Sequence, residues 1–346
     1  MVMRCKAPFS LLRAALLALA IASGAMQFPQ AAAQGTAHPG GRAAQVIAAA
    51  PDPKPASLEL LVLGSGGPGA TGRAGSSHIV LIDGKPRILV DAGPGSFVRL
   101  GEAHVSPAQL DIVLLTHLHA DHTGELPGLV KARAVAVRDT IEFRVFGPRG
   151  HPANGAAAEF PSTSRFVSLL FGPHGAYPYL RDFAGDVSFK STDLPAASAK
   201  ASSATVQTIL AQDGIEIRAI AGHHRDAPAI IYRVDRTGSG GGRSITFTGD
   251  IDPAGHAALR RIAEGTDLLV FNCVVLDPPD SPAQLYELHT APRDIGRIAE
   301  SAHARRVLLA HISPAVDASR DAVLASIREN YAGPVDFAAD GMRLSP

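Results

Sequence analysis

Three histidines and an aspartate lie within six consecutive residues, as His117, His119, Asp121 and His122. They follow the apolar run of residues 112–115, which predicts a buried strand. Because side chains alternate along a strand, His117 and His119 share one face, and the turn that follows can bring the other two side chains to the same point. Imidazole and carboxylate groups at this density are typical of a zinc site.

Two metal ions need more ligands than this cluster offers, and other predicted strand ends supply candidates. His223 and His224 lie between two predicted strands, and Asp250 and His311 each lie at the end of a predicted strand. Any of them alone could be a cap, a turn residue or a core residue. Together with the first cluster, they predict a site for two metal ions in which either His223 or His224 is a ligand.

The elements that must position these residues occur in the same order in both halves of the chain, with strands in meanders first and strands alternating with helices afterwards. The predicted strands are residues 58–63, 77–82, 87–91, 112–115, 141–147, 215–220, 229–234, 244–248, 268–271 and 307–310. The predicted helices are residues 96–102, 125–131, 159–170, 254–263 and 290–301, and the rest of residues 148–204 is predicted as long loops bordering the site. Two packed sheets with helices outside satisfy this order, which indicates an α/β (α+β) fold.

A glycine-rich segment, residues 64–69, matches the G-x-G-x-x-G pattern of dinucleotide-binding folds, with Asp91 about twenty residues later. Pro68, Gly72 and Gly75 disfavour a helix after this segment, and a strand is predicted there instead. A dinucleotide-binding fold needs a helix at this point. A Rossmann-type oxidoreductase is therefore the weakest of the functional hypotheses.

The N-terminus has the pattern of a secretory signal peptide. Basic residues precede an apolar run at residues 11–22, and three alanines at residues 31–33 predict cleavage after Ala33. An uncleaved N-terminal anchor is the alternative, although the run is short for a membrane span. The predicted organisation is a signal peptide at residues 1–33, a flexible lead-in at 34–57 and one domain at 58–346. The protein is then periplasmic or secreted, with no stable membrane span after processing.

Composition disfavours nucleic acid as a partner. The full chain has 32 basic and 32 acidic residues, and removal of Arg4, Lys6 and Arg13 leaves 29 basic residues and a formal net charge of −3. Proteins that bind nucleic acid usually show a basic excess. Only Cys273 remains after processing, so no internal disulfide is expected, and its apolar surroundings predict a buried, inert thiol.

These motifs together resemble the metallo-β-lactamase superfamily over roughly residues 58–342. The H-x-H-x-D-H segment at residues 117–122, with a later histidine, aspartate and histidine, resembles the superfamily as a whole. Residues 63–69, 91–93, 247–250 and 310–313 resemble its ribonuclease Z and arylsulfatase-type branch. The resemblance implies a four-layer αββα sandwich, a hydrolase domain at residues 58–346 and a centre of two Zn²⁺ ions, with Mn²⁺ or Fe²⁺ as alternatives.

The resemblance also implies roles for the candidate ligands. The first ion would be held by His117, His119 and His224, the second by Asp121, His122 and His311, and Asp250 would bridge the two. His224 is preferred to His223 because its spacing to Tyr232 better resembles the branch. The true β-lactamases of the superfamily lack an aspartate at the Asp250 position, which argues against that activity.

These roles predict a hydrolase that uses a metal-bridging hydroxide. Two zinc ions roughly 3.5–4 Å apart lower the pKa of a bridging water and stabilise the entering and leaving oxygens. Asp121 could also orient the hydroxide. His289, which precedes Thr290 and resembles a histidine of ribonuclease Z, is the candidate general acid or oxyanion stabiliser. The alternative for His289 is a surface histidine at the start of a helix.

The predicted substrate is a small-molecule ester, with a phosphodiester first and an aryl sulfate ester or a lactone next. Ribonuclease Z carries a basic arm for tRNA after the strand that matches residues 229–234, where this chain has only residues 235–243. The His-Glu pair typical of that family is replaced by Asn272 and Cys273. A ribonuclease Z-like endoribonuclease and a non-catalytic metal-binding protein are the alternatives, and a homodimer is compatible with the sequence.

Overall fold

Two seven-stranded β-sheets pack against each other in the computed structural model, which describes residues 57–69, 72–153, 159–182, 185–196, 205–238, 242–277 and 280–346. The predicted signal peptide and all but the last residue of the lead-in lie outside these ranges. The first sheet contains β1 (Leu58–Gly64), β2 (Ser77–Ile82), β3 (Lys85–Val90), β4 (Ile112–Leu114), β5 (Ile141–Pro148) and β6 (Val187–Leu194). The second contains β7 (Gln207–Gln212), β8 (Ile215–Ala221), β9 (Ile230–Arg236), β10 (Arg243–Phe247), β11 (Leu268–Asn272), β12 (Val307–Ala310) and β13 (Val335–Phe337), and β14 (Arg343–Leu344) returns to the first sheet.

The α-helices lie between these strands. They are α1 (Ser96–Glu102), α2 (Ala120–Thr123), α3 (Leu126–Ala136), α4 (Thr163–Phe171), α5 (His256–Ile262), α6 (Ala283–Tyr286), α7 (Pro292–Ser301), α8 (Pro314–Ala318) and α9 (Arg320–Arg328). Short 3₁₀ turns occur at Pro107–Gln109, Pro178–Asp182 and Pro253–Gly255. None of the helices in the described ranges combines the length and apolarity needed to cross a bilayer.

Each sheet combines an antiparallel meander with parallel strands. The first has the order β14-β1-β2-β3-β4-β5-β6 and becomes parallel from β3 to β4 onwards. The second has the order β13-β12-β11-β10-β9-β8-β7 and is parallel from β10 to β13. Parallel neighbours need a crossover connection, which α3 provides between β4 and β5 and α5 between β10 and β11. The predicted order of elements is confirmed in both halves.

Three hydrophobic clusters fill the spaces between four layers. The cluster between the sheets includes Leu60 and Val80 from the first sheet and Tyr232 and Phe247 from the second. One outer cluster joins the first sheet to α1, α3 and α4, and the other joins the second sheet to α5, α7 and α9. Because side chains alternate along a strand, Leu60 packs inside and Leu61 packs under the outer helices. The predicted αββα sandwich is confirmed.

Two edge strands depart from the prediction. β6 lies within the region predicted as loops, and β7 precedes the first strand predicted for the second half. The loop prediction is wrong here because edge strands bury few side chains, and the exposed Lys190 and Thr192 of β6 interrupt any apolar run. Helix α4 begins at Thr163 and not near residue 159, because the Ser162 hydroxyl caps it by accepting the Arg165 N–H.

The glycine-rich segment after β1 leads into a strand. β2 pairs antiparallel with β1, and the described part of residues 65–76 contains no helix. A Cβ on Gly64 would collide with the backbone oxygen of Gly75, so this turn requires glycine where the chain folds back. The predicted strand, which argued against a dinucleotide-binding fold, is confirmed.

Candidate metal centre

The ends of three strands and one turn between strands meet at one edge of the sandwich. His117 follows β4, Asp250 follows β10 and His311 follows β12, whereas His224 lies between β8 and β9. The single helical turn α2 begins directly after His119 and carries the remaining two candidate ligands. Strand ends of a packed sheet are rigid, so they can hold side chains at fixed distances.

All seven side chains chosen as metal ligands converge at this edge. The atoms available for coordination lie within 4.8 Å of one another in three groups: His117, His119 and His224; His117, His122 and Asp250; and Asp121, His122 and His311. The first and third groups match the two ligand sets that the resemblance implies. The second group connects them through Asp250.

The carboxylate of Asp250 lies at the centre of these groups. Its Oδ2 atom is 3.3 Å from His311 Nε2, 3.7 Å from His122 Nε2, 3.8 Å from His224 Nε2, 3.8 Å from His289 Nδ1 and 4.0 Å from His117 Nε2. Its Oδ1 atom accepts a hydrogen bond of 2.8 Å from Asn272 Nδ2. The Asp250 side chain is only 4% exposed. One carboxylate oxygen is therefore held by the amide and the other faces imidazole nitrogens.

Acceptors at Nδ1 fix the ring orientation of two of the histidines. His122 Nδ1 lies 2.7 Å from Asp91 Oδ2, and His224 Nδ1 lies 2.8 Å from the carbonyl oxygen of Leu288. Since an ionised carboxylate and a carbonyl only accept, Nδ1 must carry the proton in both rings. In the neutral rings the lone pair is then on Nε2, which faces Asp250.

The same arrangement extends to His117. Thr116 Oγ1 donates to Asp91 Oδ2 at 2.8 Å and is 3.1 Å from His117 Nδ1, from which it accepts. The buried Nε2 atom of His117 has no hydrogen-bond partner among the described residues. An unpaired buried polar atom is costly, and a metal ion would satisfy it. Imidazole and carboxylate donors are the set that suits zinc, so the residues fit a divalent cation.

Asp91 is a positioning residue that the sequence analysis did not identify. Besides His122, its carboxylate accepts hydrogen bonds from the backbone N–H and the hydroxyl of Thr116, both at 2.8 Å. Asp91 has a left-handed backbone with φ 58°, and His311 has φ 54°. Such conformations are uncommon outside glycine and cluster at functional sites. The available signal was an aspartate at the end of a predicted strand, as for Asp250.

His223 takes part in the neighbouring turn and in none of the three groups. Its Nδ1 atom lies 2.6 Å from Asp252 Oδ2, an oxygen that also accepts the Arg225 N–H at 2.7 Å. This bond turns His223 away and lets His224 enter the centre. The structure therefore places His224, the preferred member of the pair, among the candidate ligands.

His289 is buried beside the centre. Its Nδ1 atom is 3.8 Å from Asp250 Oδ2 and has no hydrogen-bond partner among the described residues. Its ring centroid lies 5.6 Å from that of His224 and 6.1 Å from that of His311. The interpretation of His289 as a surface histidine is wrong, because helix α7 begins only at Pro292 and the preceding segment folds inward. Its chemical role stays a prediction.

Burial and neighbouring charges shift the pKa values of the centre. Burial alone would raise the pKa of Asp250, but the surrounding histidines hold it well below its ordinary value. Burial lowers the pKa of His117 well below the ordinary value of histidine. Burial also opposes charge on His122, yet the carboxylates of Asp91 and Asp250 raise its pKa well above 6.5. A metal ion bound here would displace the proton of His122.

The centre opens to solvent at α2. The side chain of Asp121 is 21% exposed and His119 is partly exposed, whereas His117, His122 and His311 are fully buried. A substrate would therefore approach along the side formed by His119 and Asp121.

Comparisons with known proteins agree with this fold. The model of a family described as a beta-lactamase superfamily domain matches residues 86–312, more than half of the chain. A ribonuclease Z from Mycobacterium sp. (strain KMS) is 25% identical over 276 residues, which cover 77% of this chain and 87% of that protein. A ribonuclease Z from Mycobacterium avium (strain 104) is 28% identical over 296 residues, which cover 82% of this chain and 96% of that protein.

Solved structures show the same architecture. The short form of human tRNase Z superposes with a TM-score of 0.61 at 19% identity, covering 83% of this chain and 98% of that chain. The metallo-beta-lactamase fold protein YhfI from Bacillus subtilis gives a TM-score of 0.60 at 20% identity, covering 84% and 100%. At this identity the likeness concerns the fold, and the chemistry depends on the residues of the centre.

Proposed function

We propose that this chain, which belongs to the metallo-β-lactamase superfamily, hydrolyses phosphodiester bonds with two divalent metal ions. The observation that carries the proposal is the position of Asp250 Oδ2, 3.3 Å from His311 Nε2 and 3.8 Å from His224 Nε2. These two histidines belong to different ligand groups. A carboxylate oxygen between two such groups is placed as a bridging ligand would be.

The ligand assignment follows the geometric groups. One ion would be held by His117, His119 and His224, the other by Asp121, His122 and His311, with Asp250 between them. Zinc is the expected metal because the donors are imidazoles and carboxylates, and manganese and iron are the alternatives. When bound, two such ions lower the pKa of bound water and stabilise charge on phosphoryl oxygens.

Two residues are suited to handle water and protons. Asp121 is partly exposed and its Oδ2 lies 3.3 Å from His311 Nε2, so its carboxylate can orient a water on the accessible side. His289 lies beside Asp250, and its buried imidazole can donate a proton or a hydrogen bond to the leaving oxygen.

RNA is the phosphodiester that the comparisons favour. The two mycobacterial relatives named ribonuclease Z match 77% and 82% of this chain. The ribonuclease Z-like alternative from the sequence analysis thus gains more support than its first choice, a small ester. Among the small esters, the comparisons give no support to aryl sulfates or lactones.

A small phosphodiester is the second candidate, and two features favour it. Only residues 237–242 join β9 to β10, at the place where ribonuclease Z carries its basic arm for tRNA. The predicted export to the periplasm or beyond would also separate the protein from tRNA. These features affect the choice of substrate and leave the proposed chemistry unchanged.

Metal analysis combined with Asp250→Ala tests the proposal. We expect the purified protein to bind close to two zinc ions per chain and to hydrolyse bis-p-nitrophenyl phosphate. Asp250→Ala should bind less metal and lose about 10²–10³-fold in kcat, the scale expected when a central electrostatic group is removed. Asp336→Ala is the control. Asp336 lies on β13 and pairs with Arg306, so its loss should change neither the metal content nor kcat.

Full metal content and activity in Asp250→Ala would contradict the proposal, as would a wild-type protein inert towards small phosphodiesters and RNA alike. Side-by-side kcat/KM values for a precursor tRNA and bis-p-nitrophenyl phosphate then decide between the two substrates. Faster cleavage of the precursor favours RNA, and faster cleavage of the small diester favours the second candidate.

A further inference from the structure

A short antiparallel pairing between His151 and Phe160 places an aromatic side chain at the accessible side of the metal centre. The two residues exchange backbone hydrogen bonds of 3.1 and 3.0 Å. The ring centroid of Phe160 lies 6.3 Å from that of His119, and the ring centroid of His151 lies 5.2 Å from that of Phe160. Phe160 and His119 are both partly exposed, so the aromatic surface adjoins the opening.

Hydrogen bonds on both sides hold this pair in place. His151 Nε2 lies 2.8 Å from the carbonyl oxygen of Asp226, two residues after the candidate ligand His224. On the other side, the hydroxyl of Thr163 donates to the carbonyl oxygen of Pro148 at 3.0 Å, which fixes the start of α4 to the end of β5. The position of Phe160 is therefore set by contacts to two elements of the scaffold.

Two hydrogen bonds of His151 favour its protonated form beside this aromatic ring. Its Nε2 faces the carbonyl oxygen of Asp226, and its Nδ1 faces that of Pro152 at 2.9 Å. Because carbonyl oxygens only accept, both bonds can form only when both ring nitrogens carry protons. The same two carbonyls, Pro152 first, raise the pKa of the imidazole. The charge would attract an anionic ester to the opening.

We propose that Phe160 and His151 form a subsite for an aromatic group attached to the scissile phosphodiester, either a nucleobase or an aryl ester. The Phe160 ring offers a face on which a planar group can stack, and the imidazole ring of His151 lies beside it with centroids 5.2 Å apart. The inference rests on the proposed phosphodiesterase function and narrows its substrate class. Residues 151–153 belong to the region that the sequence predicts as loops bordering the site, and residues 159–160 to the start of the helix predicted at 159–170.

Competitive inhibition by phenylphosphonate and methylphosphonate tests the subsite, because the two share the anionic group and differ in the ring. We expect wild-type protein to bind phenylphosphonate about 10-fold more tightly, the lower range of the energy of stacking on an aromatic side chain. Phe160→Leu keeps an apolar side chain without the ring and should remove this preference. Phe160→Trp should preserve it.

Phe97→Leu is the matched control, since Phe97 is an exposed phenylalanine, 44% accessible, on α1 outside the metal centre. It should keep the full preference for phenylphosphonate. Metal content is measured in each variant, and it should equal that of the wild-type protein. Inhibition by methylphosphonate should also stay constant, because that ligand does not reach the subsite.

Adenosine monophosphate and ribose 5-phosphate form a second pair that distinguishes the two sources of the aromatic group. A preference for the nucleotide that is lost in Phe160→Leu assigns the subsite to a nucleobase. If Phe160→Leu loses the preference for phenylphosphonate and the wild-type protein shows no preference for the nucleotide, the subsite is assigned to an aryl ester.

Equal inhibition by the two phosphonates in wild-type protein, or a preference that survives Phe160→Leu, would overturn the subsite. Continued turnover of bis-p-nitrophenyl phosphate in that case leaves the phosphodiesterase function intact. A wild-type protein without any phosphodiester turnover would instead remove the proposed function itself, so the two failures are distinguishable.

Discussion

The two sheets contribute to the metal centre in different ways. The first sheet provides four candidate ligands within residues 117–122, in the segment that follows β4. The second provides His224, Asp250 and His311 from three separate positions, each after a different strand. The first contribution is local in the sequence, and the second exists only because β8, β10 and β12 lie in one sheet. A local motif thus indicates metal binding, whereas the central position of the Asp250 carboxylate depends on the strand order.

The residues that support these ligands also differ between the two sheets, in their charge. On the side of the first sheet, the buried carboxylate of Asp91 binds His122 and Thr116. On the side of the second sheet, neutral groups provide support, with the amide of Asn272 on Asp250 and a backbone carbonyl on His224. We therefore expect the charged Asp91 carboxylate to contribute more to metal affinity than the neutral Asn272 amide.

Among changes that spare the candidate ligands, the largest effect is expected from His289→Ala on the side of the second sheet. Turnover should fall by about 10²-fold or more, the usual contribution of a general acid. Zinc content should stay unchanged, because His289 lies in none of the three ligand groups. The measurement is kcat for a series of aryl phosphodiesters, together with the zinc content of the variant.

The series also separates the two predicted roles of His289. A loss that grows as the leaving group becomes more basic indicates a general acid, and a uniform loss indicates an oxyanion stabiliser. Unchanged turnover of even the most activated ester would remove both roles. Loss of zinc would show that His289 is a fourth ligand from the second sheet. The two sheets would then contribute equal numbers of ligands.

A smaller effect, on zinc affinity, is expected from the residues that support the ligands. One variant on each sheet allows the two sheets to be compared directly. Asp91→Asn should weaken zinc binding about 10–100-fold, because residues that orient ligands contribute on this scale and the lost charge lowers the basicity of His122. Asn272→Ala should weaken it about 10-fold at most, because Asp250 keeps its charge. Competition with a chromophoric chelator measures both affinities. An equal or larger loss in Asn272→Ala would reverse the proposed order of the two sides.

The sequence predicts the parts of the molecule whose signals are local. Strand β2 and helix α1 have the predicted bounds. The Asp-Gly pair at Asp83 and Gly84, a typical hairpin signal, forms a turn with both residues at positive φ, 51° and 77°. Apolar runs and turn residues identify such elements because each signal lies within a few neighbouring residues. Edge strand β6 carries no such run, so it escapes the prediction.

The sequence identifies the candidate ligands that converge in the structure, but it does not identify the groups that support them. Asp91 bonds to His122 across 31 positions of sequence, and Asn272 bonds to Asp250 across 22. Such pairs depend on which strands become neighbours, and this information is absent from local patterns. Burial of His289 is similar, because the segment before α7 shows no apolar run that would place it inside. The position of Phe160 depends on its backbone pairing with His151.

The smallest effect concerns His78 of β2, which lies where the two sheets meet, with its ring centroid 5.6 Å from that of Phe247. Burial, with smaller contributions from His122 and His311, lowers its pKa to about 3. In the unfolded chain a histidine titrates near pH 6.5. Between these values the unfolded state binds a proton that the native state does not, so acidification favours unfolding through this group.

This linkage gives a signed prediction for the protein without metal. The free energy of unfolding should fall as the pH drops from about 6.5 towards 3, with His78 contributing at most about 1.4 kcal/mol per pH unit. In His78→Gln this contribution disappears, so urea midpoints measured in the presence of a chelator should depend less steeply on pH. His303→Gln, a change at an exposed histidine paired with Glu264, serves as the control and should keep most of the slope. An unaltered slope in His78→Gln would mean that His78 already accepts a proton in the native state, and hence that water reaches the space between the sheets behind the metal centre.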